Sequence, residues 1–299
     1  MRAILIDWMM EVSMEFMLKR DTFYNAQSII DRYLQETYNV KKTDLQLIGV
    51  TALYIASKIE EIDSPNIQDF VRSTDNGYTD IQVKQTEITI VEKLNFRLNP
   101  PTYSMWCNWF MCQWDIFVEN SSFAQNSQLV YEYFKINNCL NQFKQPNEQS
   151  YSLYREFMQI IDCSIMNIKT IGFEKKIIIA SLMYLVLGKS FKVFNTNDIV
   201  NIFQDSYSFL LDPSCIFNEL FQAFLNESFG LQLLDLLHTI QYLCQYFTIS
   251  FNFDLPRAAK INQESLLQVY YIFLIFFYLI IFIFLVIYYQ YFILFLGTF

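Results

Sequence analysis

Two helical bundles in tandem followed by a long hydrophobic helix, an all-α chain, is the fold class that three features of the sequence predict. Hydrophobic residues make up 53% of the 299, and 30 Phe and 20 Tyr stand against only 6 Gly and 6 Pro. Little glycine is left for the tight turns of β-sandwiches, and the composition favours long segments with short connections. Apolar residues also recur at three- and four-residue steps over most of the chain, the period of one helical face. Finally, each half carries one stretch that is apolar on nearly every side, as a helix is when others surround it. The length sets an expectation of roughly two domains.

The elements follow in order. From Met1 to about Phe16, Leu5, Trp8, Met9, Val12 and Phe16 give the first helical face. Thr22 is placed to cap a second helix through Ile29, Ile30, Tyr33 and Leu34, which ends before the polar stretch Asn39 to Lys42. A third begins at Thr43-Asp44 and runs apolar on all sides to Ala56, with Gly49, Ala52 and Ala56 at steps that let neighbouring backbones approach. Ser64-Pro65 breaks the chain and opens a short helix to about Ser73, and Asn76-Gly77 marks a turn. Thr79 with Gln82 makes a capping box for a fifth helix, whose apolar face is read as Ile88, Val91 and Leu94, and Pro100-Pro101 stops it. The first bundle, residues 1–99, is thus five helices packed about the third.

Thr102 can cap the next helix, through Trp106, Trp109 and Phe110 to about Phe117. An Asn/Gln-rich insertion at about 118–149, with a short helix at Leu129 to Phe134, then interrupts the periodicity. Helices are expected at Tyr151 to Met166, Phe173 to Leu187, Asn197 to Ser208 and Asp212 to Phe229, and Leu231 to Phe247 closes a second bundle spanning 100–250. A linker at 251–265 leads to the tail at 266–299.

Chemistry has little foothold. The net charge is −9 and no run of Lys or Arg could neutralise a nucleic-acid backbone, so no nucleic-acid partner is expected. Cys107, Cys112, Cys139, Cys163, Cys215 and Cys244 include no C-x-x-C pair, so the reading is buried reduced thiols with no metal site. The single histidine, His238, lies in an apolar run and receives no role. Gly188-Lys189-Ser190 ends like a phosphate-binding loop, but Met183 stands where that motif needs its first glycine. With no nucleophile elbow, zinc-protease motif or nucleotide loop, no catalytic residue and no cofactor is expected.

Four collinear motifs carry a resemblance. Met1-Arg2-Ala3-Ile4-Leu5-Ile6-Asp7-Trp8 is similar to the M-R-A-I-L-x-D-W signature of A- and B-type cyclins. Asp31-Arg32-Tyr33-Leu34 resembles that family's D-R-[FY]-L. Leu45 to Val50 followed by Ala56-Ser57-Lys58-Ile59-Glu60-Glu61 resembles its central helix. Tyr78-Thr79, Glu87, Phe96 and Pro101-Thr102 complete the set, and the resemblance is specific from Met1 to about Asp115 and architectural beyond. It implies tandem five-helix cyclin-box bundles and a non-enzymatic regulatory subunit that binds and activates a cyclin-dependent serine/threonine protein kinase in cell-cycle control, in nucleus and cytoplasm. By resemblance, Lys58 and Glu87 pair and grip the kinase backbone, with Ile59, Glu60 and Glu61 beside them. Met1, Ile4, Leu5, Trp8, Glu11 and Gln46 match a docking groove for Arg-x-Leu peptides of substrates or inhibitors, and Arg2 with Asp31 matches a buried ion pair between the first two helices. The resemblance starts at Met1 itself, whereas the family carries a helix before the box, so it implies a chain truncated at its N-terminus.

The tail reads in two ways. Leu266 to Phe299 holds no charged residue, and Val269 to Tyr289 is long enough to span a bilayer of about 30 Å. Arg257 and Lys260 would then keep the bundles cytoplasmic, which gives a membrane partner through 266–299. The competing reading is AT-rich non-coding DNA translated past the true end. Two functions of other classes stand beside the kinase regulator: a cyclin-fold scaffold, and a membrane-anchored adaptor that does not activate a kinase.

Overall fold

Where the chain can cap or turn decides where its helices stop. The computed structural model describes residues 1–120, 148–194, 212 and 215–247. Among these residues every regular element is helical. The first half holds α1 (Arg2–Glu15), α2 (Arg20–Glu36), α3 (Leu45–Glu60), α4 (Ile67–Arg72) and α5 (Asp80–Lys93). There follow α6 (Tyr103–Asn120), α7 (Glu148–Met166), α8 (Lys175–Ser190), α9 (Ile216–Phe229) and α10 (Leu237–Phe247). Short 3-10 turns at Lys42–Asp44, Ile168–Gly172 and Leu233–Leu236 precede α3, α8 and α10.

α3 is the post that its all-round apolar sequence predicts. Ile48 to Leu53 and Ile55 to Ser57 are buried, and α1, α2, α4 and α5 all pack on it. At Gly49 an added methyl group would meet Leu5 Cδ1 at 2.7 Å, so α1 lies directly on the α3 backbone. In the second half α8 plays the same part, buried without interruption from Ile178 to Gly188 and packed by α6, α7 and α10. Gly188 is explained by packing as well: the Phe194 ring occupies the space a side chain would need.

Local signals place several boundaries. The Thr79/Gln82 capping box opens α5, and the Met105 amide donates to Thr102 Oγ1 at 3.2 Å in the first turn of α6. Other boundaries move because a longer-range contact wins. α2 begins at Arg20, ahead of Thr22, because the buried Thr22 hydroxyl donates to the Glu61 carboxylate instead of capping. α4 is capped by an Asn66/Asp69 box rather than at Ser64-Pro65. The turn after it uses left-handed Asp75 and Asn76, at φ 55° and 56°, and needs no glycine freedom at Gly77. α5 turns Val83, Ile90 and Leu94 inward, whereas Ile88 is 58% exposed, which corrects the apolar face expected of that helix.

A polar seam joins α7 and α8 to the first five helices. Tyr24 and Arg20 both donate to the fully buried carboxylate of Asp162 on α7. Lys175 Nζ donates to Pro101 O at 3.1 Å and to Ser28 Oγ at 3.3 Å. The Thr102 and Ser104 hydroxyls donate to Asp21. Residues Met1–Thr248 form one compact unit. The expected helices at Leu129 to Phe134 and Asn197 to Ser208, Cys139, the linker and the tail at 266–299 lie outside the described residues. Among the described residues no helix is long and apolar enough to cross a membrane.

Candidate functional site

Lys58 lies in the last turn of α3 and Glu87 in the middle of α5, two helices that pack side by side. The Lys58 ammonium donates to Glu87 Oε1 and sits 4.1 Å from the centre of the Tyr54 ring. Their side chains are 38% and 22% exposed, so the pair is at the surface. Apolar residues flank it: Ile59 is 39% exposed and Ile88 58%. Each isoleucine is the chain neighbour of one member of the pair, on the two packed helices. Ile88 was not among the sequence candidates, because a core reading absorbed it.

Glu60 and Glu61 go different ways. The Glu60 carboxyl is raised above the usual carboxylate range by burial, with Asp21 and Glu61 adding to the rise and Lys19 opposing it. Glu61 points inward, its carboxylate accepting the Lys19 amide at 2.7 Å and the Thr22 hydroxyl, and so anchors the start of α2. The structure therefore gives Glu61 a structural task and leaves Lys58, Ile59, Glu87 and Ile88 as the outward group.

The second candidate cluster lies on α1 and α3. Met1 and Ile4 are 62% and 59% exposed, Glu11 is exposed, and Trp8 and Gln46 are half-buried. Leu5 is core, packed on Gly49, and can only floor a groove. Behind Trp8 lies Asp7, only 2% exposed, whose carboxyl is pushed up to about 6 by burial and then by the neighbouring charge of Glu11. The folded state therefore binds more protons than the unfolded chain between about pH 4 and 6, so this group's contribution to stability falls as pH rises through that window. Asp7→Asn is expected to stabilise the protein at pH 7.5 by on the order of 2–3 kcal/mol, with the gain fading as pH falls through 6 and absent near pH 4. Urea denaturation of both proteins across that range checks it; a gain independent of pH would mean that the buried Asp7 charge is not its source.

Arg2 and Asp31 form the ion pair expected of them, and more. The guanidinium grips both carboxylate oxygens at 2.6 and 2.7 Å, Gln27 adds a further hydrogen bond to Asp31, and Arg2 Nη1 donates to Ile165 O at 2.6 Å. One side chain thus ties α1, α2 and α7. The Asp162 centre with Arg20 and Tyr24 was missed from the sequence. Its signal was a lone carboxylate inside the apolar run Ile160-Ile161-Asp162-Cys163, which is too buried to exist without partners. The Cys107 and Cys244 thiols are raised to about 12 and Cys163 upward as well, all by burial, which makes them inert packing groups. Among the described residues no group of His, Cys, Asp and Glu could hold a metal ion.

The family described as "Cyclin, N-terminal domain" matches residues 1–99. The chain is 35% identical over 189 residues to a G1/S-specific cyclin-E of Hemicentrotus pulcherrimus, covering 63% of this chain and 40% of that protein. It is 50% identical over 101 residues to a G2/mitotic-specific cyclin-B2 of Gallus gallus, covering 34% and 25%. It spans two fifths or less of the length of these curated relatives. Among solved structures, a viral cyclin from herpesvirus saimiri superimposes with a TM-score of 0.51 at 16% identity, covering 82% of this chain and 85% of that one, a likeness of fold. The signature motifs, the buried α3 post and the matched family agree over residues 1–99, which are similar to the N-terminal domain of cyclins.

Proposed function

We propose that the chain is a regulatory subunit that binds a cyclin-dependent serine/threonine protein kinase through the face around Lys58 and Glu87 and favours the kinase's active conformation. The observation that carries this is the Lys58 and Glu87 pair itself, fixed between two helices, backed by Tyr54 and flanked by exposed Ile59 and Ile88. An ammonium has three N–H groups and a carboxylate two oxygens, so a pair joined by one hydrogen bond keeps donors and an acceptor for a partner's main chain. Protein kinases are switched by the placement of a regulatory helix whose glutamate must reach the catalytic lysine. A partner changes that equilibrium only to the extent that it binds the active placement better. Moving a kinase from mostly inactive to mostly active needs about 5.5 kcal/mol of such preference, within what an interface of roughly 1,600 Å² supplies.

The same reading assigns Met1, Ile4, Trp8, Glu11 and Gln46, over the floor of Leu5, to docking Arg-x-Leu segments of substrates or inhibitors. Exposed apolar residues would take the leucine and the Glu11 carboxylate the arginine. The compartments proposed are nucleus and cytoplasm, where such a kinase acts on cell division.

The test is direct. The full-length chain is titrated into a purified cyclin-dependent kinase catalytic subunit, and phosphate transfer to a peptide substrate is followed. A saturable rise of about a hundredfold is expected, the gain from about one per cent active to nearly all active. Binding without any rise would instead favour a cyclin-fold scaffold.

A further inference from the structure

We propose that Ser64 is a phosphoacceptor for a proline-directed protein kinase and that its phosphorylation weakens the partner contact around Lys58; the second half rests on the function proposed above. The chain's prolines follow Ser64, Asn99, Pro100, Gln145, Asp212 and Leu255, so Ser64-Pro65 is its one Ser-Pro or Thr-Pro dipeptide. A proline after the acceptor is recognised because it has no N–H, fixes its own φ and keeps the preceding residue extended.

The dipeptide sits where a kinase could read it. The connection from Glu61 to Asn66 lies outside any helix and is extended at both ends, with φ −93° and ψ 143° at Glu61 and φ −70° and ψ 156° at Asn66. Ile62 is 99% exposed, Asp63 and Asn66 are exposed, and Ser64 and Pro65 are half-buried. Both ends are strapped down, Glu61 to the start of α2 and Asn66 to the capping box of α4. Between them runs a short strap, bent at Ile62 and Asp63, that carries the half-buried serine. Ser64 Oγ lies 2.8 Å from Ser57 Oγ, on the last turn of α3 and next in sequence to Lys58.

In the transfer, Ser64 Oγ attacks the γ-phosphorus of ATP, the new O–P bond forms as the bond to the bridging oxygen of ADP breaks, and the hydroxyl proton passes to the catalytic carboxylate of the kinase. The product carries close to two negative charges at pH 7. It cannot take the place of the hydroxyl, because Ser57 is fully buried and the phosphoryl group would have to enter the core. The strap must therefore shift away from Ser57, the residue next to Lys58. Glu60, Glu61 and Asp63 precede Ser64 within four residues, and burial already raises the Glu60 carboxyl above the usual carboxylate range.

The full-length chain, its Ser64→Ala and Pro65→Ala variants and a synthetic peptide of residues 58–70 are incubated with a purified proline-directed kinase and ATP, and sites are located by mass spectrometry. Near-stoichiometric phosphate at Ser64 is expected in the chain and the peptide, with none in either variant. An unlabelled Ser64 in the folded chain overturns the assignment, and a labelled peptide beside it would show that the fold closes the site. Phosphorylated and unphosphorylated chains are then titrated into the kinase catalytic subunit, with at least a tenfold weaker Kd expected for the first. Equal affinity overturns the regulatory half. If neither form binds, that half falls together with the proposed function, while the first arm decides the phosphoacceptor on its own.

Discussion

The double variant Lys58→Ala, Glu87→Ala is expected to lose kinase activation by at least thirtyfold while its helix content and thermal midpoint stay near those of the parent. Stability barely moves because the pair is partly exposed, and such surface ion pairs are worth about 0–1 kcal/mol. Binding moves much more, because the groups that anchor the middle of an interface, once covered, each cost about 2 kcal/mol or more when truncated. Single variants discriminate further. Lys58→Ala leaves the Glu87 carboxylate to be buried beneath a partner without its cation, so it should weaken binding about as much as the double variant. The exchange Lys58→Glu, Glu87→Lys restores an internal pair but reverses which helix offers donors and which offers acceptors. If the pair merely holds α3 to α5, the exchange restores activation; if it grips a partner's main chain, activation stays lost. Kinase assays on the four proteins decide the matter, and full activation by the double variant would remove the basis of the proposed function.

How much of this was legible in the chain depends on how local each cause is. The α3 post, the α5 capping box and the Thr102 cap were readable because the residues that decide them are within one or two turns of each other. The start of α2 was not, because Thr22 turns to Glu61, 39 residues away, and nothing local announces that. Ile88 was read as core for a deeper reason. A surface that waits for a partner carries the same residues as a core, so periodicity alone cannot separate them; only the exposure of Ile88 beside the inward Val83 and Ile90 does so. Glu61 is the opposite case: a charged residue at a helix end reads as solvated, yet its carboxylate here accepts the Lys19 amide just before α2. The partners of Asp162 came from α2, and a single carboxylate in an apolar run says that partners exist without saying which.

The largest stability effect is expected from Arg2. Its guanidinium and the Asp31 carboxylate are 11% and 10% exposed, so the pair is shielded from water and salt. Arg2→Ala removes both charge-assisted hydrogen bonds to Asp31 and the one to Ile165 O, and leaves the carboxylate with Gln27 as its described donor. Removing one partner of a buried pair costs about 3–5 kcal/mol, because the uncompensated charge stays in a poorly solvated place. For a domain of this size that corresponds to a fall in Tm of roughly 6–20 °C. Arg2→Met with Asp31→Leu removes both charges and fills much of their volume, so it should recover most of the loss. One cost should persist in the double variant. Ile165 O would still lack the Arg2 donor, so the link from α1 to α7 would stay weakened even when the pair between α1 and α2 is replaced. Calorimetry of the parent, Arg2→Ala and the double variant tests this. A shift under about 2 °C for Arg2→Ala would mean that water already reaches the pair, and the account of α1, α2 and α7 as three helices held by one side chain would fail.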